Sequence, residues 1–122
     1  MEVIRHHHIS FKNAFNGIIW AFTTQPNFRV HTILAASAIF SGFLLKVTHI
    51  EMTILVLTIV FGIGVEMANT SIESIVDLVT EEWRQEAKIA KDVAAGMMLL
   101  TALGTVLVAC LIFLPHLSKL IF

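Results

Sequence analysis

Four polar residues recur along one face of a predicted helix: Glu66, Asn69, Glu73 and Asp77. At about 100° of rotation per residue, their spacing places all four side chains within an arc of roughly 80°. The segment that leads to them, 52–65, contains no ionisable residue. Since an ionised carboxylate in hydrocarbon costs several kcal/mol unless it is paired or bound to metal, we interpret this face as a functional site that holds a cation.

The carboxylates Glu73 and Asp77 are four residues apart and lie near the end of the apolar segment. Such a pair suits Mg²⁺, which prefers oxygen ligands and is usually held by one or two carboxylates together with substrate phosphates. Lys91 and Asp92 open a later apolar segment and are expected to face this pair. A lysine there would supply the positive charge that phosphoryl transfer requires.

Glu66 lies about 10 Å deeper than Glu73, at about 1.5 Å of helical rise per residue. A carboxylate at that depth is placed to accept a proton from a lipid hydroxyl group. Asn69 lies between the two and is expected to orient either carboxylate. The spacing therefore predicts a cytoplasmic nucleotide site above an alcohol site at the membrane interface.

The composition predicts that these residues belong to a membrane protein. Of the 122 residues, 57% are hydrophobic and 14% are charged, whereas soluble domains average about 45–50% and about 25%. We therefore predict an all-α integral membrane protein that forms one domain over residues 1–122. The net charge is −1, and no nucleic-acid partner is expected.

Four helices are predicted, an amphipathic surface helix followed by three transmembrane helices. Large apolar residues recur at three- and four-residue spacing in the N-terminal segment, which is typical of a helix lying along the membrane interface, here at about 5–24. Three apolar segments approach the roughly 20 residues needed to cross a bilayer, at about 29–47, 52–77 and 91–117. Residues 24–27 are expected to separate the surface helix from the first span.

The lysines and arginines predict the orientation of these spans. Six lie on the side of the N-terminus and of the loop 79–92, and two lie on the other side. The six are Arg5, Lys12, Arg29, Arg84, Lys88 and Lys91, and the two are Lys46 and Lys119. Since positive residues concentrate in the cytoplasm, the N-terminus and this loop are expected to be cytoplasmic.

The loop itself carries a possible helix start. Thr80 is followed by Glu81 and Glu82, an order typical of a helix N-cap followed by acidic residues in the first turn. We therefore expect Thr80 to cap a cytoplasmic helix that leads into the third span.

Three motifs in this chain resemble those of one family. Glu66-Met-Ala-Asn-Thr-Ser-Ile-Glu-Ser-Ile-Val-Asp77 resembles the E-x-x-N-[ST]-[AS]-I-E-x-x-V-D signature of the small bacterial diacylglycerol kinase family. The segment 90–96 resembles its second signature, and 27–31 resembles the segment that opens its first span. The resemblance implies an ATP- and Mg²⁺-dependent lipid kinase of the bacterial cytoplasmic membrane. It also implies a homotrimer with active sites between neighbouring subunits.

The resemblance also implies roles for individual residues. Glu66 matches the general base, and Asn69 supports it. Metal ligands are implied at Glu73 and Gln25. Nucleotide contacts are implied at Glu73, Asp77, Trp83, Arg84, Lys91 and Asp92. Lipid contacts are implied at Phe28, Arg29, His31, Glu66 and Ala95.

Two positions depart from the family pattern. Gln25 stands where many members carry a glutamate that helps to hold the metal. An amide coordinates through its oxygen but brings no charge, so a lower metal affinity is expected. Arg84 stands where many members carry a histidine beside the nucleotide, and its guanidinium group is suited to phosphate.

The lipid substrate is predicted from the branch that the motifs resemble more. The segments 28–31 and 91–96 look more like the undecaprenol kinase branch, and Ala95 falls where the diacylglycerol branch carries a serine. Undecaprenol is therefore favoured over diacylglycerol, whose product would be phosphatidic acid. A remoter alternative is a small proton-coupled carrier that uses Glu66 as its proton site, and another is an assembly or sensor protein without catalysis. A carrier has no need of Lys91 and Asp92.

Overall fold

The computed structural model describes residues 2–121, with side chains for 10–120, and these residues form four helices without a strand. In chain order they are α1 (Glu2–Thr24), α2 (Pro26–Leu44), α3 (His49–Val79) and α4 (Gln85–Ile121). The all-α prediction is confirmed for this part of the chain. The side chain of Arg5, which was counted in the orientation argument, lies outside the described side chains.

A single residue separates α1 from α2, fewer than the four expected. The hydroxyl groups of Thr23 and Thr24 donate to the carbonyls of Ile19 and Trp20 at 2.8 and 2.7 Å, which closes the last turn of α1. Gln25 is extended, with φ −100° and ψ 109°, because the residue before a proline is disfavoured in the helical region. Pro26 then begins α2, where its missing N–H group costs nothing.

The turn between α2 and α3 ends in a capping box that the sequence analysis missed. The Thr48 hydroxyl accepts from the Glu51 N–H at 3.3 Å, and the Glu51 carboxylate accepts from the Thr48 N–H at 2.7 Å. The pattern Thr-x-x-Glu before an apolar run was the available signal. The hydrogen bonds from the backbone and hydroxyl group of Thr48 lower the pKa of Glu51.

The turn between α3 and α4 corrects the expectation for Thr80. Thr80 is extended after the last residue of α3, and its hydroxyl accepts from the Glu82 N–H at 3.1 Å in a local turn. Glu81 and Glu82 therefore lie outside the helix, and the first hydrogen bond of α4 runs from the Lys88 N–H to the Arg84 carbonyl. The prediction was wrong because a threonine side chain bonds its own local backbone as readily as it caps a helix.

The helices pack in sequence order, α1 on α2, α2 on α3 and α3 on α4. Few described side chains are buried: the apolar residues are Ala21, Phe28, Leu55, Val65, Ala94 and Ile112, and the polar ones are Glu66 and Thr70. The accessible surface is 9447 Å², against about 6,500 Å² for a soluble monomer of this mass. Large apolar side chains such as Phe61 and Leu103 remain exposed. Surfaces of this kind lie against lipid or other chains.

Two described helices, α3 and α4, are long and apolar enough to cross a bilayer. Only 17% and 6% of their most apolar stretches are buried within the chain, unlike the core helix of a soluble protein. Helix α2 does not meet the same measure, since its 19 residues include Arg29 and His31.

Candidate active site

Helix α3 carries the predicted polar face from the interior of the chain to its surface. Glu66 is buried with 3% of its surface exposed, and Thr70 one turn later is also buried. Glu73 is half-buried and Asp77 is exposed. The polar face therefore has one carboxylate that is screened from solvent, at Glu66, and one that a soluble ligand can reach, at Asp77.

Helix α2 supplies the neighbour of the buried carboxylate. His31 Nδ1 lies 3.4 Å from Glu66 Oε2, and the His31 side chain is 35% exposed. The sequence analysis predicted both residues as lipid contacts but did not predict that they meet. The contact joins two helices through residues that are 35 positions apart in the sequence. The spacing of residues within one helix cannot predict such a contact between helices.

The amide of Asn69 is bound to Glu73 and not to Glu66. Its Nδ2 donates to Glu73 Oε1 at 3.0 Å, as expected for residues four apart on a helix. Asn69 Oδ1 is buried and has no hydrogen-bond partner. A buried oxygen without a donor is costly, and beside a carboxylate it is chemically suited to a hard cation.

These oxygens fit the Mg²⁺ that the family resemblance implied. Within the described residues, no three His, Cys, Asp or Glu side chains gather in a metal-binding arrangement. Mg²⁺ does not require such a group, since it commonly takes one or two carboxylates and completes its shell with phosphates and water. Glu73 and the Asn69 amide oxygen are the groups that would hold it.

Helix α4 contacts the exposed end of the polar face. Lys91 Nζ lies 2.5 Å from Asp77 Oδ1. The two side chains are 41% and 61% exposed, so the ammonium group remains accessible to a ligand. The expected approach of Lys91 to the acidic face is therefore observed.

Other predicted nucleotide residues make only local contacts. Asp92 is paired with Lys88 one turn before it, and Arg84 Nη2 lies 3.5 Å from Glu82 Oε2. Trp83 is 79% exposed in the loop before α4. These side chains flank the Asp77–Lys91 pair in sequence, but the structure does not draw them onto it.

The predicted metal ligand Gln25 is also held locally. Its Nε2 donates to Thr24 Oγ1 at 3.3 Å. Among the described side chains, no hydrogen bond joins Gln25 to Glu73. Within residues 10–120, no side-chain contact brings the two predicted metal ligands together.

The predicted lipid residues divide between buried and exposed positions. Phe28 is buried, whereas Arg29 is exposed and donates to the Thr23 carbonyl at 3.4 Å. Ala95 is exposed, and its neighbour Ala94 is the one that packs inward.

An apolar cavity of about 390 Å³ lies where α1, α2 and α3 meet. It is lined by Phe15, Ile18, Ile19, Phe22, Thr23, Phe28, Thr32, Ile63 and Met67. Its lining residues Thr32 and Met67 are the sequence neighbours of His31 and Glu66, which do not line the cavity themselves. The sequence analysis missed it, although the three- and four-residue spacing of its α1 members was the available signal.

A second histidine–carboxylate pair lies at the opposite end of α3. His116 Nε2 is 3.6 Å from Glu51 Oε2. Fifteen residues separate Glu51 from Glu66, about 22 Å at about 1.5 Å per residue. This pair is remote from the candidate site.

Comparison with known proteins identifies two relatives, one named as a diacylglycerol kinase and the other as an undecaprenol kinase. The chain is 42% identical over 115 residues to a diacylglycerol kinase of Synechocystis sp., an alignment that covers 93% of this chain and 66% of that protein. It is 39% identical over 108 residues to an undecaprenol kinase of Bacillus subtilis, covering 88% of each. This chain thus spans slightly less than two thirds of the first relative.

The family model described as prokaryotic diacylglycerol kinase matches residues 12–113. The matched region contains the polar face of α3, the Lys91–Asp77 contact and all nine lining residues of the apolar cavity. The chain therefore belongs to the prokaryotic diacylglycerol kinase family, and the predicted lipid-kinase class is confirmed at the level of that family.

Proposed function

We propose that this chain transfers the γ-phosphoryl group of ATP to the hydroxyl group of a membrane lipid. The observation that supports the proposal most strongly is the change in solvent exposure along the polar face of α3, which is buried at Glu66 and exposed at Asp77. Lys91 contacts Asp77 at the exposed end, and an apolar cavity lies where the same helix α3 meets α1 and α2. A soluble phosphate donor and an apolar alcohol acceptor require these two opposite environments.

Each end of the site has its own task in the transfer. Glu66 takes the proton of the lipid hydroxyl as the oxygen attacks phosphorus. Lys91 offsets negative charge on the phosphate oxygens. Glu73, which accepts a hydrogen bond from Asn69, would hold Mg²⁺, and the ion would neutralise charge on the nucleotide phosphates. The apolar cavity between α1, α2 and α3 accommodates part of the lipid chain.

The membrane arrangement proposed here follows from this assignment. The single domain crosses the bacterial cytoplasmic membrane with α2, α3 and α4, and α1 lies along its cytoplasmic surface. The shortness of α2 is consistent with a span whose Arg29 end reaches the headgroup region. The proposal includes the homotrimer that the family resemblance implies. It is supported by the local contacts of Gln25 and Arg84, which the described chain does not join to the polar face of α3.

The acceptor that we propose is undecaprenol, with diacylglycerol as the second candidate. Support comes from the motif at 28–31 and from Ala95, which leaves no hydroxyl group at that position. The two relatives are of similar identity to this chain, and one is named for each of the two lipids. The test offers both alcohols to the purified protein in mixed micelles with Mg²⁺ and ATP. Faster phosphorylation of undecaprenol supports the assignment, and faster phosphorylation of diacylglycerol reverses it.

A further inference from the structure

We propose that His31 is a positioning residue that removes the proton from Glu66 after each transfer and returns the carboxylate to its basic form. The proposal rests on the proposed kinase function. It extends that function by assigning a route for the proton, and it gives His31 a task other than contacting the lipid.

Burial of Glu66 creates the need for such a route. Its side chain is 4% exposed, so the carboxylic acid formed after proton abstraction has little direct contact with water. His31 Nδ1 is 3.4 Å away, and the His31 side chain is 35% exposed. The imidazole thus lies between a buried acid and the outside, and its two ring nitrogens can accept a proton on one side and release one on the other.

The steps balance without any further reactant. The lipid O–H bond breaks as its oxygen bonds to the γ-phosphorus of ATP, and the bond from that phosphorus to ADP breaks. The proton passes to the Glu66 carboxylate and then to the His31 imidazole. The resulting imidazolium releases its Nε2 proton to water, which leaves the Glu66 carboxylate ionised and the His31 ring neutral with its proton on Nδ1. Rotation of the ring about its Cβ–Cγ bond then turns the unprotonated nitrogen toward Glu66 for the next transfer.

The surroundings of His31 contain no competing group among the described residues. In α1, residues 13–24 include no ionisable side chain, and α3 presents Glu66. On its own helix, Arg29 is directed to the Thr23 carbonyl. Lys91 of α4 is engaged with Asp77. His31 is therefore the ionisable neighbour that the described chain provides for Glu66.

Chemical rescue tests the proposal on the full-length protein in mixed micelles. His31→Ala removes the relay, and His31→Gln keeps a hydrogen-bond donor that cannot carry a proton. We expect both variants to lose about 10²-fold in kcat, the lower end of what a positioned proton-transfer group contributes, with little change in the KM for ATP. Added imidazole should restore turnover in His31→Ala, and substituted imidazoles should do so in order of their basicity.

The matched control is His116→Ala, which breaks the similar contact with Glu51 at the far end of α3. It should keep its kcat and show no response to imidazole. Near-normal turnover in His31→Gln would overturn the proposal, as would rescue of His31→Ala that does not depend on basicity. If the wild-type protein phosphorylates neither lipid alcohol, the proposed function fails instead, and the two failures are thus distinguished.

Discussion

Two possible roles of Lys91 in the Asp77–Lys91 pair, binding phosphate and stabilising the fold, predict losses of different size when Lys91 is replaced. The Lys91 side chain is 41% exposed and the Asp77 side chain is 61% exposed. Exposed ion pairs contribute about 0.2–1 kcal/mol to stability. Removing a donor that stabilises transition-state charge costs about 10²–10³ in kcat, or about 2.7–4 kcal/mol. Lys91→Gln should therefore reduce activity far more than it reduces stability.

The assay compares lipid phosphorylation at saturating lipid with the unfolding midpoint of the same preparation in detergent. The matched control is Lys88→Gln, which removes another exposed lysine paired with a carboxylate on α4. We expect a loss of about 10²-fold or more in kcat for Lys91→Gln and nearly unchanged kcat for Lys88→Gln. Equal kcat in the two variants, or a loss in Lys91→Gln that follows unfolding, would refute the role of Lys91 at the phosphates.

Two further predictions concern the other carboxylates of α3. Glu73→Gln should sharply raise the Mg²⁺ concentration needed for half-maximal activity because it removes charge from the oxygens beside Asn69, and an unchanged Mg²⁺ titration would exclude Glu73 as a ligand. At the far end of the helix, the Thr48 hydrogen bonds lower the pKa of Glu51. They stabilise the fold at neutral pH, and this contribution is lost as the pH falls through the lowered pKa of the folded state. Wild-type protein should therefore be more stable than Glu51→Gln at pH 7, and this difference should vanish in acid; a difference independent of pH would contradict the linkage.

The sequence predicted what depends on the period of a single helix. The four residues of the polar face lie on one helix, as the 3.6-residue period predicted, and α3 begins three residues before and ends two residues after the predicted bounds 52–77. The position of Lys91 at the start of the third apolar segment also correctly predicted that it approaches the polar face of α3. The family was identified from three motifs, at 66–77, 90–96 and 27–31.

The sequence did not predict contacts that depend on packing or on competition between local hydrogen bonds. The pairing of His31 with Glu66 depends on how α2 lies against α3, which neither helix reports alone. Thr48 and Thr80 are each followed by glutamates, yet Thr48 caps a helix and Thr80 closes a short turn. The difference is that Glu51 lies three residues after Thr48 and bonds back to its N–H group, whereas residue 83 after Thr80 is a tryptophan.

The central claim is that Glu66 is the base of an ATP-dependent lipid kinase, and one comparison tests it most directly. Phosphorylation of undecaprenol and of diacylglycerol is measured for wild-type protein, Glu66→Gln and the exposed control Glu86→Gln, together with nucleotide binding by each. The account predicts that Glu66→Gln abolishes turnover and still binds nucleotide, while Glu86→Gln resembles wild type. Near-normal turnover in Glu66→Gln would contradict it.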